Sequence, residues 1–409
     1  MGLPPGEQAK PQQAMGMDLP PDIFTKTNDP AKLGRFCHGF AMEWSQITPL
    51  SCHALPTAPV SAAPFPTPPG WRPAALNDGW IYRDRVERFA EGQLASCFYA
   101  RRYRHSGRKT WQQRLAGGEI WRQEQPLQAD AVLARGDRLA WHRPPWLEPA
   151  IPGSWETVFD DGDLLAVDKP SGLPVMPAGG FLEHTLMRLL ERQHANDTAG
   201  VPRPVHRLGR FTSGLLLCAR RPASRAWLSA LLRESTSLVA GSHGAMDVAS
   251  GAGKSGGRKI YRALLAPGAL ALQVGEELEI TTPIARQPHP RLGTLWAAGS
   301  PDDPAALAAR SQLTLLERRR DADLVEVAIS SGRPHQIRIH CAAAGAPLLG
   351  DPLYLPGGDA LPAALPGDGG YWLHARSVEL PRPNEPALML ATAAAPGLWW
   401  ARDAERWEP

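Results

Sequence analysis

The chain is poor in cysteine: five residues in 409, odd in number and scattered at Cys37, Cys52, Cys97, Cys218 and Cys341. That pattern argues against a disulfide framework. The Cys37-His38 and Cys52-His53 pairs lack the Cys-x₂₋₄-Cys spacing of structural zinc sites, so free thiols and no metal are expected. No apolar run approaches the ~20 residues that cross a bilayer. The amino terminus carries no charged-then-apolar leader pattern, and Gly6 stands where a myristoylation site needs Ser or Thr, so a cytoplasmic location is expected. Charge is nearly balanced at +3, which with 43% hydrophobic residues fits a globular protein. Internal repeats, a Gly-x-Ser-x-Gly elbow and a His-Glu-x-x-His helix are all missing, which removes the commonest serine-hydrolase and zinc-protease chemistries.

What is present divides the chain in three. Residues 1–76 are Pro-rich, with runs such as Pro64-Phe65-Pro66-Thr67-Pro68-Pro69, and bury too little apolar surface to offset chain entropy. They are expected to be largely disordered or irregular. Residues 77–150 read as a small basic domain and residues 151–409 as a larger α+β domain. In the larger domain, Thr157–Phe159 and Leu164–Val167 flank an Asp-Gly turn and predict a hairpin. His184–His194 has helical spacing, and Leu215–Ala219 reads as a short buried strand. A helix is predicted over Ala223–Leu232, with Trp227, Leu228, Leu231 and Leu232 facing inward. Residues 239–257 are small, polar and Gly-rich, and read as a flexible insertion. The insertion's Gly251-Ala252-Gly253-Lys254-Ser255-Gly256 run matches a dinucleotide fingerprint but lacks the strand before and the helix after it.

In the small domain, Ala100–Arg114 predicts a basic helix without an acid, bearing Arg101, Arg102, Arg104, Arg108, Lys109 and Arg114 with Tyr103 and Trp111 interleaved. Guanidinium forks grip phosphates and aromatic faces stack on bases, so this stretch is a candidate RNA surface. With the turns Gly117-Gly118-Glu119-Ile120-Trp121 and Gly136-Asp137-Arg138-Leu139 it resembles a small α/β RNA-binding module shared with a ribosomal protein.

The segment Pro204-Val205-His206-Arg207-Leu208-Gly209-Arg210-Phe211-Thr212-Ser213-Gly214 resembles the His-Arg-Leu-Asp-x-x-Thr-Ser-Gly loop of the RluA-type pseudouridine synthase family. Asp163–Val175, Lys259–Leu264, Gly332–His340 and Gly350–Tyr354 resemble that family's other motifs, in family order. The resemblance implies a mixed, mostly antiparallel bent sheet with flanking helices and loops. It also implies isomerisation of uridine to pseudouridine in rRNA or tRNA, without cofactor, by a monomer. On the matching positions it makes Gly209, Tyr261 and Arg338 the catalytic set, with His206, Arg207, Thr212, His335 and Gln336 around the substrate. Thr212 and Ser213 are expected to satisfy loop backbone groups. One departure stands out: Gly209 occupies the place of the catalytic aspartate, the partner of the arginine matched by Arg338. Losing one member of a buried pair costs about 3–5 kcal/mol, so another partner is required, with Asp351, Asp168, a substrate phosphate or water as candidates. A chain that kept the pocket but not the chemistry, an RNA binder, is the alternative.

Overall fold

The computed structural model describes residues 70–234, 258–329, 331–382, 385–393 and 398. The Pro-rich stretch before residue 70, with Cys37, His38, Cys52 and His53, lies outside them, as does the insertion at 239–257.

Strands Trp80–Arg85, Arg138–Arg143, Ile120–Arg122 and Gln125–Pro126 pair antiparallel in that spatial order. One face of this small sheet buries Leu139, Trp141 and Ile120 in a core shared with Tyr99, Trp111 and Leu115. The expected single basic helix is two, Ala95–Arg102 and Arg108–Ala116. The break follows from the core: Trp111 is fully buried and its indole N–H donates to the Ser106 carbonyl, turning the chain at 103–107. Tyr103 donates its hydroxyl to Asp84, so both aromatics expected to stack on bases serve the domain's own packing instead.

The larger domain is built on a ten-stranded sheet. Its main path runs Glu277–Ile280, Ser311–Arg318, Asp323–Ile329, Lys259–Leu265, Leu373–Arg382, Thr212–Ala219, Leu164–Lys169 and Glu156–Asp160. Every pairing is antiparallel except Thr212–Ala219 beside Leu373–Arg382, which is parallel. This is the mixed, mostly antiparallel sheet that was expected, and bulges at Ala166/Val167 and Ile260/Tyr261 bend it. The expected hairpin forms as Glu156–Asp160 and Leu164–Lys169. Thr212–Ala219 is buried along its whole length, because alternate residues are covered from opposite sides. Leu216 and Cys218 pack with Leu186, Leu189 and Leu190 of the helix Leu186–Gln193, while Leu215 and Leu217 pack with Leu228 and Leu232. Those two leucines, four apart, form the inner stripe of helix Pro222–Glu234. Trp227 is 42% exposed, contrary to the sequence reading, because it sits about 100° round the helix from that stripe.

Candidate active site

The chain enters the site along Arg203–Pro204, which extends the sheet beside Thr212–Ala219. His206 continues the attachment: its Nε2 accepts the Leu217 N–H at 3.0 Å. A ring nitrogen that accepts from an amide is unprotonated, and burial accordingly pushes the His206 pKa down to about 3. His206 therefore braces the loop through that bond. Arg207 is exposed and has no hydrogen-bond or ion-pair partner among the described residues.

From the other side the loop is held by Lys169, whose side chain is fully buried. Its Nζ donates to the carbonyls of Pro170 and Leu173 at 2.9 Å and of Arg210 at 3.1 Å. Three carbonyl dipoles replace the water that the ammonium gives up, and burial still lowers its pKa to about 7. Lys169 thereby ties the 170–173 turn to the 209–211 loop, a role that no spacing in the sequence signals. Gly214, at φ +99°, lets that loop run into the sheet, since a Cβ there would overlap the Ala375 backbone.

Arg338 lies in the helix Gln336–Ala343 and is 2% exposed. Its Nε and Nη2 donate to the two oxygens of Asp351, each at 2.7 Å, in a bidentate pair. Asp351 is the compensating partner that the sequence demanded. Its side chain has no exposed surface, and its Oδ1 also accepts the Leu353 N–H at 2.9 Å, capping the turn. With both oxygens committed, Asp351 does not face a substrate. Asp168 makes no bond to this pair: it accepts from the Thr392 hydroxyl, and burial raises its pKa.

The place beside Gly209 is filled. A Cβ at position 209 would overlap the hydroxyl of Tyr371. That hydroxyl is 3.2 Å from the Thr212 Oγ1. The Tyr371 ring carries the Arg338 guanidinium over its face at 4.1 Å and meets the edge of Phe211 at 6.1 Å. Thr212 thus bonds a side chain, where a backbone partner was expected, while Ser213 Oγ lies 2.9 Å from His374 Nδ1 and 3.4 Å from the Leu373 carbonyl. Tyr371, Ile337 and the packed rings of Phe211 and Tyr261 belong to one apolar cluster. The Tyr261 hydroxyl has no hydrogen-bond partner among the described residues, and burial pushes its pKa up to about 12. Nothing in the sequence singled out Tyr371; the only hint was the vacancy at 209.

His335 and Gln336 flank Arg338 in different ways. His335 is left-handed at φ +55°, and its Nδ1 lies 2.6 Å from the Tyr354 hydroxyl. Tyr354 gives its own hydrogen to the Trp296 carbonyl, so His335 is the donor. Burial, then the charge of Arg338, pushes the His335 pKa down to about 3, and Arg207 acts in the same direction. Gln336 accepts from Ser331 Oγ and the Arg333 N–H, and donates to the Arg310 carbonyl and Ser311 Oγ. Its amide is committed to the loop, which corrects its placement as a substrate contact.

The basic candidates are scattered on the small domain. Arg102 pairs with Asp84 at 3.0 Å, and Arg108 donates to Ser96 Oγ at 3.1 Å. Arg114 stacks on Trp111 at 4.3 Å and Trp141 at 4.7 Å. Arg104 lies against Gly293 of the larger domain, and Arg101 lies over Phe89. Lys109 is exposed. Arg102, Arg108 and Arg114 are therefore engaged within the domain, while the side chains of Arg102 and Arg108 stay more than half exposed. Among the described residues no three His, Cys, Asp or Glu side chains converge as a metal site would need.

Comparison with known proteins places this geometry. Residues 163–343 match the RNA pseudouridylate synthase family. An RNA pseudouridine synthase of Synechocystis sp. is 40% identical over 279 residues, 68% of this chain and 85% of that one. RNA pseudouridine synthase 5 of Arabidopsis thaliana is 38% identical over 341 residues, 75% of this chain and 89% of its own. Ribosomal large subunit pseudouridine synthase D of Xanthomonas campestris is 33% identical over 248 residues, 58% of this chain and 65% of its own. Motifs, sheet and relatives agree, and the chain belongs to the RNA pseudouridine synthases, isomerases that modify RNA.

Proposed function

We propose that the chain isomerises uridine to pseudouridine in ribosomal or transfer RNA, as a cofactor-independent monomer in the cytoplasm, even though position 209 carries no carboxylate. The observation that carries this reading is the Arg338–Asp351 pair. A site that had merely lost its aspartate would strand a buried guanidinium, at a cost of about 3–5 kcal/mol. Here the charge is met from within the fold, which is the mark of a maintained pocket. Tyr261, with an unclaimed hydroxyl on a central strand paired on both sides, fits a wall for a flipped-out uracil. The ribosomal RNA assignment is supported by the name of the Xanthomonas relative. Exposed Arg207 and Lys109 are available to phosphates.

The test is tritium release from carbon 5 of uridine-labelled rRNA and tRNA. Release is expected from at least one of them. Salt-sensitive binding without release from any cellular RNA would favour the second reading, a uridine-pocket RNA-binding protein, which the bare Gly209 favours.

A further inference from the structure

Rings and guanidiniums alternate along the seam where the small domain meets the larger one. At the end of the strand Arg138–Arg143, the Arg143 guanidinium lies 3.4 Å over the Trp146 ring. The Trp146 indole N–H donates at 2.6 Å to the Gly180 carbonyl of the larger domain. The next residue, Phe181, carries Arg210 over its ring at 4.6 Å, and Arg210 also lies 4.9 Å over Phe211. All five residues are half-buried, so each keeps a solvent-facing part. Trp146 lies outside the small domain's apolar core, unlike Trp111, so its ring is not spent inward. The seam is also held in place. Glu148, 1% exposed, accepts the N–H groups of Leu182, Glu183 and His184 at 2.9, 3.0 and 2.9 Å and the Asn77 side-chain amide at 2.6 Å. Asn77 Oδ1 in turn accepts the Trp146 N–H at 3.0 Å, which fixes Trp146 against the 180–184 segment.

The charge of this seam is unanswered within the fold. Arg220 meets Asp160 at 2.8 Å and Arg338 meets Asp351 at 2.7 Å. Arg143 makes no hydrogen bond or ion pair among the described residues, and Arg210 commits only its Nε, to the Gly172 carbonyl at 3.1 Å. The acids beside them are already taken, Glu148 by amides and Glu183 by Arg188 and Arg192. Resting on the isomerase reading above, we propose that Arg143, Trp146, Phe181, Arg210 and Phe211 form a binding surface for single-stranded RNA beside the target uridine, so that the substrate is a uridine in an unpaired loop. Guanidinium N–H edges accept phosphate oxygens as partners, and aromatic rings and guanidinium planes stack on unpaired bases whatever their identity. A duplex shows its phosphates but hides its base faces, so it engages the charges and leaves the rings unused. The position agrees with the chemistry: Phe211 is two residues from Gly209, and a target nucleotide leaves its stack at least cost where its neighbours are unpaired.

The test is fluorescence anisotropy of the whole chain with a labelled, mixed-sequence RNA of about 12 nucleotides, either single-stranded or annealed to its complement. The single strand should bind at least about tenfold more tightly than the duplex, the yield of one or more stacked bases. Arg143→Gln and Arg210→Gln should each weaken single-strand binding about tenfold, the loss of one charge-assisted phosphate contact. Each should also flatten the slope of log affinity against log salt by about 0.7. Arg138→Gln removes the same charge at the other end of the same strand, where the side chain is 70% exposed, and should leave affinity within about twofold. Equal affinity for duplex and single strand, or Arg143→Gln no weaker than Arg138→Gln, overturns the proposal. Displacement of the RNA by polyglutamate at equal charge also overturns it and assigns the seam to an acidic protein segment. Tritium release from uridine-labelled RNA is read separately. Release alongside any of those failures leaves the isomerase reading standing, whereas single-strand binding with the expected losses by a chain that makes no pseudouridine upholds the surface and overturns the isomerase reading alone.

Discussion

Asp351 offers the sharpest structural test, because its removal separates a load-carrying ion pair from a decorative one. The Arg338 side chain is 3% exposed and that of Asp351 has no exposed surface, so neither charge has bulk water to fall back on. Asp351→Ala deletes both bidentate bonds and the acceptor for the Leu353 N–H, leaving a guanidinium held, among the described residues, by the Pro366 carbonyl at 3.3 Å and the faces of two tyrosines. Breaking a buried pair in this way costs about 3–5 kcal/mol. For a folding unit the size of the larger domain each kcal/mol moves the melting temperature by about 2 °C, so a drop of about 6–10 °C is expected. The control is the double variant Arg338→Met/Asp351→Leu. Apolar side chains of similar volume often replace a buried pair without loss, so most of the lost stability should return. Thermal and urea unfolding of the three proteins supply the cycle. If Asp351→Ala unfolds within about 1 kcal/mol of wild type, Arg338 is compensated by something other than Asp351 and the argument for a maintained pocket collapses.

Four histidines, two buried and two partly buried, should make the fold sensitive to acid. Burial pushes His206 and His335 down to about 3 and His340 and His374 down to about 4. A folded pKa below the unfolded value of about 6.5 means the unfolded chain binds more protons. Stability is therefore complete above about pH 6.5 and is lost as pH falls toward those values, at up to about 1.4 kcal/mol per pH unit for each histidine. Urea unfolding between pH 7 and 5 should show that slope, and a flat profile would contradict the buried, neutral assignment. Lys169→Met should keep the apolar stem but leave the carbonyls of Pro170 and Leu173 without their donor, at about 1–3 kcal/mol for an acceptor that finds no water, and leave the Arg210 carbonyl with Gly172 alone. Amide exchange at Gly172, which donates to the Arg210 carbonyl, should then quicken; unchanged exchange would mean that Lys169 does not anchor the loop.

Periodicity made the scaffold legible. The Leu215–Ala219 run, the Asp-Gly hairpin and the leucine spacing of 186–190 each report a local pattern with one dominant physical solution, and each element formed. Trp227 failed because a run of apolar residues is wider than the stripe a helix buries, and the sequence does not say which member is left out. Tyr103 and Trp111 failed for the opposite reason. Aromatics among arginines look like an RNA surface until the small domain's need for a core is counted, and a domain of that size spends its largest rings inward. The helix break that this packing imposes was invisible for the same cause.

The site was legible as an absence. Gly209 beside an unmatched Arg338 stated that a charge and a volume were both unaccounted for, and Asp351 stood among the candidates for the charge. The volume had no candidate, because its occupant lies 159 residues from Thr212 in sequence and meets it only through the parallel pairing of Thr212–Gly214 with Leu373–Ala375. Tyr371 precedes that strand and is carried with it, so its approach to position 209 is fixed by sheet register and by no local spacing. A one-residue slip of that register would turn the side chains of Leu373 and Ala375 to the other face and misplace the chain that carries Tyr371. The glycine at 209 and the tyrosine at 371 are thus readable only as a pair. Any account of one that omits the other treats as a loss what the fold treats as an exchange.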